Sequence, residues 1–128
     1  MNNTHHTLKR LLVNGLLTGW PKRPADQDLI VELAALRFDA DKAYREAEVN
    51  ELLKEWLATF CAPYGIDHVT LRRHLVDARL LRRDPSGTSY RVDAGKVAQV
   101  EADGSVEPGE VLVELQEERE ERKRQHAG

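Results

Sequence analysis

Six arginines fall between positions 72 and 91 (Arg72, Arg73, Arg79, Arg82, Arg83 and Arg91), against two acids, Asp77 and Asp84. The chemistry such a cluster offers is anion recognition. A guanidinium is a planar fork that binds phosphate or the guanine edge through two parallel hydrogen bonds. Arg72 and Arg73 share one run with His68 and Thr70, which sit near its start and within reach of a nucleic-acid backbone. Arg82, Arg83 and Arg91 flank a Pro/Gly turn and suit phosphate contact, which gives affinity without sequence preference. Lys22 and Arg23 follow Trp20-Pro21 and are further backbone candidates. Each has a plainer use. Arg73 and Asp77 have the i, i+4 spacing of a surface ion pair, the Arg72 stem can cover apolar surface, and charges on a hairpin resist edge-to-edge pairing.

No constellation for catalysis accompanies them. Cys61 is the one cysteine, so a disulfide within the chain is excluded and a cysteine-based zinc site lacks its ligands. His5 and His6 lie where a chain end is expected to fray. His68 and His74 are six residues apart and do not align on a helix face as an i, i+4 pair does. Glu46, Glu48 and Glu51 suit the positive end of a helix better than general acid–base work. Glycine-rich phosphate loops, nucleophile elbows and paired carboxylates are missing. The expectation is a non-enzymatic protein without metal or cofactor.

The chain has 128 residues, the size of one domain, with 41% hydrophobic and 32% charged residues. A formal net charge of −3 argues against a generic nucleic-acid coat. The charge is uneven, because from Glu110 onward six glutamates face four basic residues. No apolar run approaches the roughly 20 residues of a membrane span. The opening MNNTHHTLKR lacks the order of a signal peptide. These features predict a reduced, cytoplasmic protein.

The positioning elements follow from periodicity. Residues 5–17 place Leu8, Leu11, Leu12 and Leu16 on one helical face, with Thr4 as a possible cap. Pro24 begins a second helix, with Leu29, Ile30, Leu33 and Leu36 as its stripe, ending near 38–39. A short extended piece, 42–44, leads into a third helix at 46–57. Pro63-Tyr64-Gly65 breaks it. Asp67 is the expected N-cap of a fourth helix, 68–78, with Leu71, Leu75 and Ala78 on one face and Val69, Arg72, Arg73 and Val76 opposite. Residues 80–83 and 89–92 flank Asp84-Pro-Ser-Gly-Thr as a β-hairpin. Beyond Asp93, residues 96–100 and 105–106 flank Asp103-Gly104 as a second, poorer hairpin. A charged helix follows at 110–125, its last dozen residues solvated. The fold class is mainly α with a small β-hairpin (α+β). Its order is that of a winged helix-turn-helix with N- and C-terminal helical extensions.

Four stretches carry a family resemblance: LTGWPKR at 17–23, YREAEVNELL at 44–53, DHVTLRRHLVD at 67–77 and LLRRDPSGTSY at 80–90. In this order they resemble the bacterial domain of unknown function 2087, over about residues 10–92. The resemblance implies a winged-helix-like domain whose relatives are described as transcriptional regulators and occur alone or behind repressor domains. It brings no catalytic residues. Two departures stand out. Lys22-Arg23 runs into Pro-Ala-Asp-Gln-Asp rather than a longer basic run, and the third helix is followed by an extra stretch, 58–65.

The expected organisation is an N-terminal helix at 1–19 for packing or dimerisation, a winged helix at 20–93 and an extension at 94–128. The expected partner is double-stranded DNA, met by a homodimer formed through the N-terminal or C-terminal helix. The rival is a protein-interaction module meeting an acidic protein surface. Neither reading involves a membrane.

Overall fold

In the computed structural model, which describes residues 3–127, the chain forms α1 (Thr4–Leu11), α2 (Pro24–Ala35), β1 (Tyr44–Arg45), α3 (Glu46–Ala58), α4 (His68–Asp77), β2 (Leu81–Arg83), β3 (Ser89–Val92), α5 (Ala94–Val97) and α6 (Pro108–Ala127). The architecture is mainly helical with one small antiparallel sheet, ordered β1-β3-β2. The hairpin expectation covers β2 and β3. The third strand comes from Tyr44–Arg45, which pairs with β3 through Tyr44↔Tyr90 and Arg45↔Ser89.

Local chemistry explains where the central helices begin. Pro24 occupies the first turn of α2, where its missing N–H is not needed. Arg45 is the N-cap of α3, and its backbone N–H donates to Glu48 Oε1 at 3.0 Å. The Asp67 carboxylate accepts from the Thr70 N–H at 3.3 Å and starts α4 as expected. α4 ends in a Schellman turn. The Leu80 N–H donates to Leu75 O and the Arg79 N–H to Val76 O, both at 3.0 Å. Leu75 and Leu80 are both buried beneath that turn.

At the N-terminal end three sequence expectations need correction. The first helix stops at Leu11 rather than 17. Gly15 turns the chain with φ +107°, and Leu17 then pairs in parallel with Cys61. Leu8 and Leu12 are fully buried, but Leu16 is 46% exposed. Thr4 is not the cap, because Asn3 holds that place. Instead the Thr4 hydroxyl accepts the Asp103 N–H at 2.9 Å, linking α1 to the loop before α6. Nor does His5 lie in a frayed end, since its ring is 2.8 Å from Glu114 Oε2.

The second hairpin does not form. Residues 94–97 make a helical turn, α5, capped by Asp93, whose side chain accepts from the Lys96 N–H. The backbone donors of 97–100 go to carbonyls three or four residues back, as in a helical turn, and those that follow are taken by side chains. Glu32 Oε1 takes those of Glu101 and Ala102, and Thr4 takes that of Asp103. Arg37 then fastens the loop to α2 by donating to Gly104 O and pairing with Glu107.

One hydrophobic core joins all of this. Ile30, Leu33, Val49, Leu53, Phe60, Leu71, Leu75 and Leu81 form its centre. Leu8 and Leu12 of α1 and Val111, Leu112 and Leu115 of α6 belong to the same cluster. The residues between α3 and α4 are folded in as well. The Ala62 N–H donates to Leu17 O at 2.8 Å, and a Cβ on Gly65 would sit 2.9 Å from that same oxygen. Only glycine fits the approach.

Candidate nucleic-acid interface

α4 turns Leu71 and Leu75 inward, both completely buried. Counting 100° per residue, the outward stripe is Val69, Arg73 and Val76, with Thr70 and Asp77 beside it. Arg73 is exposed, and among the described residues its side chain makes no hydrogen bond or ion pair. Its expected pairing with Asp77 is not formed. Thr70 is turned toward the cap, its hydroxyl donating to Asp67 Oδ2 at 3.2 Å. His68 is half-buried, with Nδ1 3.6 Å from Asp67 Oδ1. His74 packs its ring 4.7 Å from that of Trp20.

Arg72 does not take the outward place beside Arg73 that its spacing predicts. Its side chain is only 18% exposed and lies against α3. There Nη1 donates to Asn50 Oδ1, and Nη2 is 3.7 Å from Glu46 Oε1. Glu46 also accepts the Tyr90 hydroxyl at 2.9 Å. Burial pushes the Tyr90 phenol above its ordinary range, and acceptance by Glu46 adds to the rise. Asn50, Glu46, Arg72 and Tyr90 thus tie α4, α3 and the sheet together. Arg72 sets the position of α4 instead of offering its charge outward.

The sheet presents the arginines differently. Alternation places Leu81, Arg83, Tyr90, Val92 and Tyr44 on the helix-facing side and Arg82, Arg91, Ser89 and Arg45 on the other. Arg82 and Arg91 are directly opposed across β2 and β3. Arg45 stands on the neighbouring strand opposite Ser89, diagonal to Arg91. Three cations therefore cross three strands on one solvent-facing side. Arg82 is 3.5 Å from Asp93 and 72% exposed, and Arg45 reaches Glu48 at 3.2 Å. Arg91 has no side-chain partner among the described residues. Arg83 faces the other way at the tip, reaching Gly87 O at 3.4 Å.

Lys22 and Arg23 are exposed, and Arg23 is the N-cap of α2. They leave the core just after Trp20, the residue that touches His74 of α4. Two residues that the sequence reading did not select join the candidates. Arg45 becomes part of the arginine row only through the pairing of a two-residue strand. Arg79 is exposed at the end of α4 with φ +62°. Its signal in the sequence is the lack of glycine where the helix must end.

The comparisons with known proteins bear on this central region. Residues 16–92 match a family described as an uncharacterized protein conserved in bacteria (DUF2087). The chain belongs to that family. No curated protein and no solved structure matches it. The DUF2087 segment holds α2 to β3 with every candidate side chain named above, whereas α1, α5 and α6 lie outside it.

Within the DUF2087 segment the hairpin turn is held by one carboxylate. Asp84 Oδ1 accepts the N–H groups of Thr88 and Ser89 at 2.9 and 3.2 Å, and Oδ2 accepts the Ser86 hydroxyl at 2.8 Å. These bonds, the Ser86 hydroxyl first, hold the Asp84 carboxyl down at about 2, from an ordinary 3.8. A depressed carboxylate stabilises the fold above its unfolded value and loses that contribution as pH falls through the folded one. The turn is therefore expected to stay ordered at pH 4 and to loosen near pH 2. The amide resonances of Thr88 and Ser89 should report one titration near pH 2 that Asp84→Asn abolishes. A midpoint near 3.8 would show the carboxylate to be free.

Cys61 is buried, and burial pushes its thiol up to about 12. It is held as the thiol at neutral pH, not the nucleophilic thiolate. Among the described residues no group of three or more His, Cys, Asp or Glu side chains could hold a metal ion. No described helix is long and apolar enough to cross a membrane.

Proposed function

We propose that this protein is a duplex-DNA-binding regulator of transcription built on a winged helix-turn-helix. On this reading α3 and α4 form the helix-turn-helix, and β2 and β3 with their turn form the wing. The strand order β1-β3-β2, with β1 between α2 and α3, supports the assignment. The observation that carries it is the arginine row. Arg82 and Arg91 are opposed across a pair of strands, where like charges destabilise a sheet. An arrangement that costs stability in the free protein becomes favourable once an anion lies across it. A phosphate backbone supplies such anions in series, with Arg45 extending the row.

Arg73, together with Lys22 and Arg23 beyond Trp20, supplies further contacts around α4. Arg82 and Arg91 hold phosphates, while Arg83 at the tip steadies the turn through Gly87. Arg72 acts at one remove, by fixing α4 on α3. His68 and Thr70 remain at the helix start, where they reach the backbone.

A two-fold dimer matched to a palindromic site would use the apolar residues left exposed outside the core. Leu8 and Leu12 are engaged within the monomer, but Val13, Leu16 and Val113 are each about half exposed. The test is fluorescence anisotropy with a labelled duplex across a salt series. With several phosphate contacts, affinity should fall steeply and log-linearly as salt rises. No binding at micromolar protein and low salt would sink the reading.

A second reading, a protein-interaction module, is favoured by the engagement of Arg72, which removes one of the two α4 arginines from the outward face. It predicts a lysate partner that survives nuclease treatment and is lost on Arg73→Glu.

A further inference from the structure

Arg79 is the one non-glycine residue with positive φ among those described, at +62°. It occupies the position after the C-cap of α4 in the Schellman turn, where the left-handed backbone favours glycine. The turn itself does not need a side chain there. Its two hydrogen bonds are made by backbone groups, and its apolar contact by Leu75 and Leu80. The Arg79 side chain is exposed and makes no hydrogen bond or ion pair among the described residues, although Asp77 lies two positions away. Among the described residues, then, no contact of the side chain itself explains why arginine rather than glycine holds this left-handed position. Strain held in an otherwise well-made turn points to a function for the side chain.

The place of Arg79 indicates what that function is. It sits between the last residue of α4 and β2, whose Arg82 stands opposite Arg91 in the arginine row. The left-handed step sets the angle at which helix and hairpin leave each other. It also puts a guanidinium at the junction of the two elements proposed to meet DNA. We infer that Arg79 is a phosphate clamp at this junction, contacting the DNA backbone between the helix and hairpin contacts. The inference rests on the duplex-binding reading and adds to it a contact that the hairpin and α4 do not supply.

Arg79→Gly separates the two effects that the residue combines. Relief of the left-handed backbone should raise the melting temperature by about 3–5 °C. Loss of the guanidinium should lower affinity for a labelled 30-base-pair duplex of arbitrary sequence by about three- to tenfold. The slope of log affinity against log salt should fall by about 0.9, the value for one phosphate. Arg79→Asn, neutral but tolerant of the left-handed region, should show the same loss of slope. Arg79→Lys should retain the slope.

A raised melting temperature with unchanged affinity and slope would show Arg79 to be a poor helix end and nothing more, overturning the inference while duplex binding stands. A lowered melting temperature in Arg79→Gly would show the side chain to balance nearby acids such as Asp77, and would overturn it too. If the wild-type protein binds no duplex at low salt, it is the duplex-binding reading that fails, and this inference falls with it.

Discussion

Arg91→Glu is expected to weaken duplex binding by about 10- to 100-fold near physiological salt and to leave the fold as stable as before or slightly more so. The two signs follow from one register. Arg91 faces Arg82 directly across β3 and β2, and among the described residues it has no acidic partner. Replacing it by glutamate converts a like-charge cross-strand pair into an opposite-charge pair. Such a change contributes about a few tenths of a kcal/mol, at the low end of cross-strand effects because Arg82 is well exposed and screened. On the DNA side the substitution removes one cation and places an anion in its stead. The salt slope should therefore flatten by more than the 0.9 or so of a single lost phosphate contact. Anisotropy and thermal melting on the same samples check both signs. A less stable protein with undiminished affinity would mean that the row is structural and does not meet DNA.

The contrast between Arg91 and Arg72 shows what could be read from the sequence. Both stand in the arginine-rich stretch and look equivalent there. A helical wheel places Arg72 at the edge of the outward face. Its fate is decided by Asn50 and Glu46 on α3, more than twenty positions away in the chain. Arg45 is the reverse case. A two-residue strand has no periodicity to detect, so only its pairing with β3 reveals that its side chain joins Arg91 and Arg82.

Signals that are purely local were legible. Asp67 caps α4, Pro24 opens α2, and Asp84 with Gly87 closes the hairpin. The turn signal at Asp103-Gly104 was also real, because Asp103 Oδ1 accepts the Ser105 N–H at 3.0 Å. What failed was the inference from turn to strands. Glu32 and Thr4 take the donors on the chain before that turn, and both lie far off in sequence. Local chemistry thus predicts where elements start and stop. Which face they turn outward, and hence which cations are available to a partner, depends on contacts between segments.

The flanks outside the DUF2087 segment carry the second large effect. Leu12→Ala is expected to cost about 2–5 kcal/mol, the usual range for emptying a fully buried leucine site. The reason lies in α6. Of its 20 residues, only Pro108, Val111, Leu112 and Leu115 are buried, all in its first half. The remainder is mostly polar and solvated, and an isolated helix of that kind is marginal in water. α6 therefore depends on packing with α1, where Leu8 and Leu12 lie in the same core cluster as Val111, Leu112 and Leu115. Charged contacts reinforce the pair. Lys9 Nζ is 3.0 Å from Glu118 Oε1, and Arg119 donates to Val13 O at 2.7 Å. These groups lie near the surface, where ion pairs contribute little, so the apolar contact dominates. Leu12→Ala should lower the melting temperature by about 10 °C or more. Amide exchange should accelerate most along 111–127 and less in α3 and α4, which share the core but are held by other contacts. Duplex affinity, measured well below the new melting temperature, should change by less than about twofold, because the arginines lie on other elements. A shift of under about 2 °C would mean that α1 merely lies against the domain. Uniform loss of protection from α2 to β3 would instead make the two flanking helices part of the cooperative core on which the family's segment depends here.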